Sequence, residues 1–358
     1  MKRTQFGFNH PLSFSFILAC LLQLTWGVQG CKNLFSDKEA EMSMADSIRK
    51  HAETVATELV KAKLRPRTAE DIVLTKAISF EQYTLEDEYE VDGKPRHFQW
   101  DKIKEKLAWI ETFQIREKQY AVLQNYKNLN GEAPLVKKFV RNEYTRVSDT
   151  LGTERYQSVP LYLSPEEESP EIYAKDGSLV AIRGGADSLD YYIVEGLSFE
   201  GHWTVPKQYV KLLGKDKQYN QVIVVDVTHQ HLCTLEKKEK EWHILSMNPA
   251  TTGIHQPPFA HETPLGIFVI QEKKEKMYFL KDGSKTEIAG FAPFASRFTN
   301  GGYLHGIPTN YPQQGIIEYS WTLGTTPRSH MCVRNASSHS KFIYDWSKTW
   351  ETLVVVIE

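Results

Sequence analysis

The sequence is poor in cysteine, has no excess of charge of either sign, and contains no long apolar run after its first thirty residues. Its 43 basic and 45 acidic side chains give a formal net charge of -2, which excludes a nucleic-acid-binding protein that relies on a strongly basic surface. With 41% hydrophobic and 25% charged residues it is neither an intrinsically disordered chain nor a polytopic membrane protein. We find no internal repeat and no low-complexity tract. A chain of 358 residues with this composition is therefore expected to form two globular domains.

The first thirty residues are the compositional exception. Two basic residues precede an apolar stretch at residues 14–24, which has the length of a secretory signal's hydrophobic region and is short for a membrane-spanning helix. The following Val28-Gln29-Gly30-Cys31 resembles the lipobox of bacterial lipoproteins, in which the chain is cut before a cysteine that becomes acylated. A second box ending at Cys20, and ordinary signal cleavage without lipidation, stay open as alternatives. We expect residues 1–30 to be a lipoprotein-type signal peptide, and Cys31 to anchor the exported protein to a membrane facing the periplasm.

Export changes the expectation for the four cysteines, because an oxidising compartment favours disulfides. If Cys20 is removed and Cys31 is acylated, Cys233 and Cys332 remain, and they either pair with each other or stay free for separate reasons. Cys233 alternates with His229 and His231 as metal ligands do, but no fourth ligand is evident. We therefore expect Cys233 to be a small apolar core residue and predict no metal site.

Helical periodicity dominates residues 31–150. A capping box that starts at Ser36 opens a predicted helix ending at Pro66, and a second helix is predicted from about Thr68. A third is predicted from about Asp101 to Asn128. These residues are therefore predicted to form a helical N-terminal domain.

The pattern changes after residue 150. Residues 151–217 contain short apolar runs separated by glycine, which is typical of a β-rich connecting segment. Residues 218–358 are dense in β signals, starting with a predicted strand at 222–225 and ending with another at 353–357. The predicted fold class is α+β with two domains, the second of them mostly β.

The residues with the clearest chemical potential form two short segments, Tyr303-Leu304-His305-Gly306 and Ser329-His330-Met331-Cys332-Val333-Arg334-Asn335. A cysteine near two histidines in an exported enzyme is a candidate nucleophile, because an imidazole can take the thiol proton. Ser337 and Ser338 are predicted to cap a helix that runs to Trp346, and its dipole together with Arg334 would favour the thiolate. The alternative is a buried cysteine among histidines that pack or hydrogen-bond, and the spacing alone does not choose between the two.

In these segments the chain resembles the catalytic domain of the YkuD-type L,D-transpeptidases, a family of bacterial cell-wall enzymes. The family hallmark is a His-Gly followed by Ser/Thr-His-Gly-Cys, a hydrophobic residue and Arg or Asn. Its parts here are His305-Gly306, Ser329-His330 and Cys332-Val333-Arg334. Agreement extends to Val225-Asp226 with Gln230, to the segment at 263–270 and to the closing valine run. The resemblance covers about residues 221–358 and implies an L,D-transpeptidase-like catalytic domain at 218–358.

Two departures from the family pattern affect the site. Met331 stands where the family has glycine, and this puts the backbone geometry around the reacting carbonyl in doubt because glycine adopts positive φ freely. His305 and His330 are 25 positions apart, which is more than is usual in the family. We assign the extra length to an insertion at residues 310–321, which would form a lid or a substrate wall.

The resemblance also implies a role for individual residues. The implied catalytic residues are Cys332, His305, Gly306 and His330, and the implied substrate-binding residues are Ser329, Met331, Arg334 and Tyr303. Cys332 would be the nucleophile and His305 the base, with the Gly306 carbonyl orienting the imidazole. The N–H groups of Met331 and Cys332 would face the oxyanion, and Arg334 would hold a substrate carboxylate.

The implied activity is peptidoglycan L,D-transpeptidation, a reaction of cell-wall biogenesis and cell shape. Cys332 would attack the carbonyl before the terminal D-alanine of a tetrapeptide stem, and an amine of a neighbouring stem would resolve the thioester into a 3-3 cross-link. The implied partners are stem peptides and a membrane, with no nucleic acid and no cofactor. Three alternatives stay open: an L,D-carboxypeptidase or endopeptidase, an enzyme that attaches a protein or D-amino acid to the wall, and a lipid-anchored wall-binding module with a drifted site. The sequence does not identify the acceptor, a protein partner or the role of the N-terminal domain.

Overall fold

The computed structural model describes Lys50 and residues 65–116, 119–185, 189–215 and 217–358. The predicted signal peptide, Cys31 and nearly all of the first predicted helix lie outside the described residues. Residues 64–358 form one compact unit. Within the described ranges, no helix is both long and apolar enough to cross a membrane.

The described residues from 65 to 358 are mostly β structure. They contain two α-helices, α1 (Trp100–Arg116) and α2 (Ser337–Trp346), and three short 3-10 turns at Ala69–Asp71, Tyr126–Asn128 and Lys207–Tyr209. The strands in chain order are β1 (Val73–Lys76), β2 (Glu88–Val91), β3 (Lys94–His97), β4 (Tyr120–Leu123), β5 (Val140–Arg141), β6 (Val147–Ser148), β7 (Ser158–Leu161), β8 (Ile172–Lys175), β9 (Leu179–Gly184), β10 (Tyr191–Gly196), β11 (His202–Pro206), β12 (Val210–Leu212), β13 (Gln221–Asp226), β14 (His231–Lys238), β15 (Glu241–Pro249), β16 (Gly266–Val269), β17 (Glu272–Leu280), β18 (Ile288–Thr299), β19 (Gly302–His305), β20 (Thr309–Asn310), β21 (Val333–Arg334) and β22 (Thr352–Ile357).

The largest sheet has six strands in the order β1-β15-β14-β13-β22-β16. Its middle strands β13 and β22, the two strands predicted at 222–225 and 353–357, run parallel and are buried on both faces, as parallel strands usually are. Val222 on one face packs in a buried cluster with Leu107 of α1. Ile223 on the other face packs in a second cluster with Leu304 and Val333. Each such fully buried aliphatic side chain contributes about 1.5–3 kcal/mol relative to an exposed one. The strands β19 and β21 are therefore held on the side of this sheet opposite to α1.

Two further sheets each contain five strands. The order β11-β10-β9-β4-β12 uses residues 120–212 and has its own buried cluster, which includes Leu123 and Val180. The order β17-β18-β19-β21, with β20 paired to β18, carries the candidate site. The first of these sheets contacts the six-stranded sheet, because Ser178, directly before β9, forms a bridge with Phe268 of β16.

A helical N-terminal domain is not supported by the described residues before position 150. The second predicted helix is wrong, because the chain passes from the 3-10 turn at Ala69–Asp71 into β1, which pairs in parallel with β15. The β-branched side chains of Ile72 and Val73 lower helix propensity, and pairing with β15 fixes the extended form.

The third predicted helix is correct at its start and wrong at its end. α1 begins at Trp100 and ends at Arg116, and the chain then forms β4, whose four residues are all buried. A short, wholly apolar run such as Tyr120–Leu123 has the same pattern in a buried strand and in a buried helix. This run lies between β9 and β12 in the sheet and pairs with both, so it is a strand here.

Candidate active site

The pairing of β19 with β21 brings the predicted nucleophile and base to one sheet. The two strands are parallel, with Leu304 opposite Val333 and His305 opposite Arg334. Leu304 and Val333 are both buried in the core. Side chains alternate along a strand, so His305, Arg334 and the preceding Cys332 are directed to the opposite face. His305 and Cys332 are therefore diagonal neighbours on that face.

His305 is fixed in one tautomer by its own backbone. Its Nδ1 lies 2.6 Å from the Gly306 carbonyl oxygen, which can only accept, so in the neutral ring Nδ1 carries the proton and Nε2 is free to accept one. Burial lowers the pKa of His305 to about 4, with the nearby Arg334 guanidinium acting in the same direction. The imidazole is therefore neutral at neutral pH, as a general base must be.

Gly306 is required at its position by space. Its N–H donates to the Pro293 carbonyl at 2.9 Å. A Cβ on Gly306 would lie 2.6 Å from Ser337 Oγ and 2.8 Å from Pro293 Cγ, closer than such atoms approach. A side chain here would displace the carbonyl that orients His305.

Both described cysteines are free thiols. Cys332 is half-buried, whereas Cys233 is buried in the core as predicted. Cys332 Sγ donates to the Gly301 carbonyl oxygen at 3.6 Å, and the Tyr303 N–H donates to the sulfur. Burial raises the pKa of the Cys332 thiol, while the Tyr303 N–H and the Arg334 charge act against that rise. Burial therefore favours the neutral form of both the Cys332 thiol and the His305 imidazole.

The predicted effect of Arg334 has the expected direction, because its charge lowers the pKa of Cys332, but burial of the sulfur raises that pKa by more. α2 starts at Ser337 with Ala336 as its N-cap, so Ser337 and Ser338 lie in the first turn and are not caps. The strand β21 stands between Cys332 and this helix, and the effect of a helix dipole falls off within about one turn. Desolvation of the sulfur is the larger influence.

Residues 220–356 match the family model of the L,D-transpeptidase catalytic domain, YkuD. This segment is therefore similar to the catalytic domain of the YkuD-type L,D-transpeptidases. The match confirms the family resemblance predicted from the sequence motifs. No curated protein matches the chain.

Solved structures of L,D-transpeptidases resemble part of the chain. An L,D-transpeptidase from Mycobacterium smegmatis is 16% identical with a TM-score of 0.32, and the match covers 50% of this chain and 82% of that one. L,D-transpeptidase 3 from Mycobacterium tuberculosis is 14% identical with a TM-score of 0.31, over 52% and 93% of the two chains. A fused Zn-dependent amidase/peptidase/peptidoglycan-binding domain-containing protein from Clostridium acetobutylicum is 17% identical with a TM-score of 0.28, over 40% of this chain. The chain spans 54% of that protein's length.

Met331, within the segment that matches the family model, adopts the backbone conformation that glycine would allow. Its φ is +92°, which is uncommon for a residue with a Cβ. Thr263 Oγ1 donates to the Met331 carbonyl at 2.8 Å and accepts from the Gly253 N–H at 2.8 Å. A Cβ on Gly253 would lie 2.8 Å from Met331 Cα. These close contacts hold the loop backbone in place despite the substitution of the family glycine.

Replacing Met331 with glycine should therefore stabilise the protein by about 1 kcal/mol, because strain of this kind costs on the order of 1–3 kcal/mol and glycine's greater unfolded-state entropy offsets part of it. Urea unfolding measures the change. Glu239→Gly is the matched control, since Glu239 is exposed, has a φ of +55° and lies in the β14–β15 turn. A loss of stability in Met331→Gly, with a gain in the control, would show that packing of the methionine side chain outweighs strain.

The other two hallmark residues have different surroundings. Ser329 is buried, and its hydroxyl donates to the Cys332 carbonyl, so it supports the loop backbone from within. His330 is exposed, and its ring lies 3.6 Å from Asp282 in the β17–β18 loop. The described partner of His330 is therefore Asp282 and not Cys332.

Arg334 and Tyr303 flank the reacting pair. Arg334 exchanges backbone hydrogen bonds with Thr251 at 2.8 and 2.9 Å. Its Nε is buried and has no hydrogen-bond partner among the described residues. Tyr303 is buried, its hydroxyl donates to Glu272 at 3.0 Å, and burial raises its pKa. Its N–H contributes to the environment of the sulfur, whereas its ring is used in packing.

The insertion at 310–321 is attached to the domain at several points. Ile317 bridges Ile307, and the Glu318 carboxylate accepts from the Ser338 N–H at 3.1 Å in the first turn of α2. The ring of Tyr319 packs against that of Tyr83, with 4.4 Å between the centroids and a tilt of 36° between the ring planes. The insertion thus contacts a residue outside the family match, and its Trp321 is 78% exposed.

Sequence reasoning did not identify Gly301 and Thr263 as parts of the site. Gly301 is the second residue of an Asn-Gly-Gly turn directly before Tyr303, and such a turn brings backbone groups close to a neighbouring side chain. Thr263 stands at the start of a segment that resembles the family, where a hydroxyl next to Pro264 is available to brace a loop. The sequence shows the turn and the hydroxyl, but it does not show which backbone groups they contact.

Proposed function

We propose that this protein is a peptidoglycan L,D-transpeptidase that forms 3-3 cross-links through a thioester on Cys332. The family acts on peptidoglycan stem peptides. The observation that carries the proposal is the His305–Gly306 hydrogen bond, which leaves Nε2 unprotonated on the face of the sheet that Cys332 occupies. The geometry matches a nucleophile and a base oriented by a third group.

In the first step His305 Nε2 takes the Cys332 proton as the sulfur attacks the carbonyl before the terminal D-alanine. The proton is then given to the leaving amine, so that free D-alanine departs and the acyl group stays on the sulfur. An amine of a second stem then attacks the thioester carbonyl and passes a proton to His305. The new amide bond forms as the C–S bond breaks, and His305 returns the proton to the leaving sulfur of Cys332. Burial favours the neutral form of both groups, and proton transfer to His305 can therefore accompany the attack of the sulfur.

The oxyanion of each tetrahedral intermediate would be bound by the N–H groups of Met331 and Cys332. Neither N–H is bonded to an acceptor among the described residues, so both are available. The positive φ of Met331 sets the direction of the Cys332 N–H. The loss of one such donor costs on the order of 10²–10³-fold in rate.

Arg334 would hold a carboxylate of the donor stem. Its buried Nε has no described partner, and a guanidinium binds a carboxylate through two parallel hydrogen bonds. Exposed Arg328 adds positive charge near it. The insertion, with exposed Tyr311 and Trp321, would cover the acyl-enzyme against water.

The test is the intact mass of the full chain mixed with a synthetic tetrapeptide stem. We expect the protein mass to increase by one tripeptidyl group, with release of one D-alanine. A cross-linked dimer of stems should then form when an acceptor stem is added. If the acyl-enzyme is instead hydrolysed to free tripeptide even when acceptor is present, the protein is a carboxypeptidase. Absence of both adduct and D-alanine would identify a drifted binding module.

Acylation should stay active well below the usual pKa of histidine. The base must be unprotonated, and burial lowers the pKa of His305 to about 4, so the rate should be flat from neutral pH down to about 5 and fall as the pH drops through about 4. Single-turnover release of D-alanine without acceptor measures it and excludes titration of the acceptor amine. A fall centred near pH 6.5 would show that another, solvated base is used.

We also propose that the protein is exported and anchored through Cys31 at a membrane facing the periplasm. The support comes from the apolar stretch at residues 14–24 and from the four residues that end at Cys31. Metabolic labelling with a fatty-acid analogue, compared between wild type and Cys31→Ala, tests it. Equal labelling of both proteins would contradict it.

A further inference from the structure

A buried carboxylate from outside the catalytic domain reaches the candidate site. Asp176 lies in the turn between β8 and β9, before the segment that matches the family, and is fully buried. Its Oδ1 accepts from the N–H groups of Asn125 at 2.8 Å and Tyr126 at 3.1 Å. This half of the carboxylate anchors the turn to the end of β4.

The other oxygen faces the catalytic domain. Asp176 Oδ2 accepts from Arg297 Nη1 at 2.7 Å, Gln271 Nε2 at 2.9 Å and the Asn300 N–H at 3.1 Å. The Asp176 main-chain carbonyl accepts from Thr299 Oγ1 at 2.6 Å. These partners lie at the end of β18 and at the start of the β18–β19 turn, apart from Gln271, which precedes β17.

There is no free space between this turn and β18. A Cβ on Gly177 would lie 2.0 Å from the Phe298 carbonyl oxygen, so only glycine fits there. The Arg297 guanidinium lies 4.3 Å from the centroid of the Tyr126 ring and is 6% exposed. Without the Asp176 carboxylate, Arg297 would keep a buried charge that only the more distant Glu272, at 3.7 Å, partly faces.

The β18–β19 turn is the part of the backbone that contacts the nucleophile. Asn300, held by Asp176, is followed by Gly301, whose carbonyl accepts from the Cys332 thiol, and Tyr303, whose N–H donates to the sulfur. Asp176 and the sulfur are therefore joined through one short turn.

We propose that Asp176 is a positioning residue for Cys332, so that the segment before the catalytic domain completes its active site. Asp176 acts through the Asn300–Gly301 turn and does not touch substrate. The kinetic part of this inference rests on the proposed function, whereas the effect on the sulfur does not.

The test compares Asp176→Asn with Asp149→Asn in the full chain. Asp149 is the matched control because it is also fully buried in the same segment and also accepts backbone N–H groups, those of Leu151, Thr153 and Tyr173, at 2.8 to 2.9 Å. Its partners lie away from the β18–β19 turn. The rate of iodoacetamide alkylation at Cys332 is followed against pH by peptide mapping, which separates Cys332 from the other cysteines.

Asp176→Asn should move the midpoint of the alkylation profile upward by about one pH unit, because the thiolate loses the Tyr303 N–H, and a hydrogen bond to a charged sulfur is stronger than one to a thiol. It should also lower kcat by about 10- to 100-fold with KM changed less than about threefold. Asp149→Asn should change neither quantity. Thr299→Val, which removes one hydroxyl to the Asp176 carbonyl, should shift both in the same direction by a smaller factor and serves if Asp176→Asn does not fold.

An alkylation midpoint in Asp176→Asn and Thr299→Val that equals that of Asp149→Asn overturns the positioning role, as does a downward shift. Because alkylation needs no substrate, this result leaves the proposed transpeptidase activity standing. Conversely, an upward shift in a protein that forms no acyl-enzyme supports the positioning role and removes the proposed function.

Discussion

Cys332→Ala should form no covalent adduct with a carbapenem or with a tetrapeptide stem, and its transpeptidation rate should fall by at least about 10³-fold. The thioester needs the sulfur, and binding with the oxyanion donors alone leaves only a small residual rate. Intact mass spectrometry and release of D-alanine measure the two effects. Wild-type protein should give a one-to-one adduct under the same conditions.

Cys233→Ala is the matched control for this experiment. Cys233 is also a free thiol, but it is 1% exposed, burial strongly raises its pKa, and it packs in the core with Val224 and Met247. Its alanine variant should be less stable by about 1 kcal/mol and should keep the adduct. An adduct that survives in Cys332→Ala and disappears in Cys233→Ala would show that Cys233 is the nucleophile, which would contradict the proposed role of Cys332.

His305→Gln should slow acylation by about 10²–10⁴-fold at neutral pH, the range usual for loss of a general base. Glutamine has no group that takes up a proton near neutral pH, so the change removes the proton acceptor. Part of the rate should return as the pH is raised, because the Cys332 thiol then ionises without help. The rate of adduct formation with a carbapenem at several pH values measures both effects.

His339→Gln separates base catalysis from the general cost of removing a buried histidine. His339 is fully buried, burial lowers its pKa to about 3, and its Nε2 lies 2.9 Å from Ser246 Oγ in the core. Its variant should lose stability and keep the acylation rate of the folded protein. Equal losses of acylation in both variants would mean that His305 has a packing role only.

The chemistry of the site was easier to predict than its surroundings. Cys332, His305 and Gly306 could be named as candidates from short motifs, and the structure brings them to one sheet, whereas their catalytic roles stay predictions. The direction of the Cys332 pKa shift could not be predicted, because it depends on how much water the fold removes from the sulfur. Asp176 lies more than 150 positions before Cys332 in the sequence, and no local pattern predicts a contact between segments so far apart.

The fold was predictable where a strand is apolar throughout and bounded by turns, as in β13 and β22. It was not predictable where the same apolar residues suit two structures. Val73 and Leu123 belong to strands because β15 and β12 offer them a partner, and a partner far along the chain leaves no trace in helical periodicity.

The parallel pairing of β1 with β15 has a practical consequence for anyone who wishes to express the catalytic domain alone. A fragment starting at residue 218 would leave the Glu241–Ile244 edge of β15 bare and would uncover the sheet surface that Leu107 and Ile110 now shield. Unpaired strand edges and exposed apolar surfaces promote self-association. A well-behaved shorter version should therefore keep the chain from about Val73 onward.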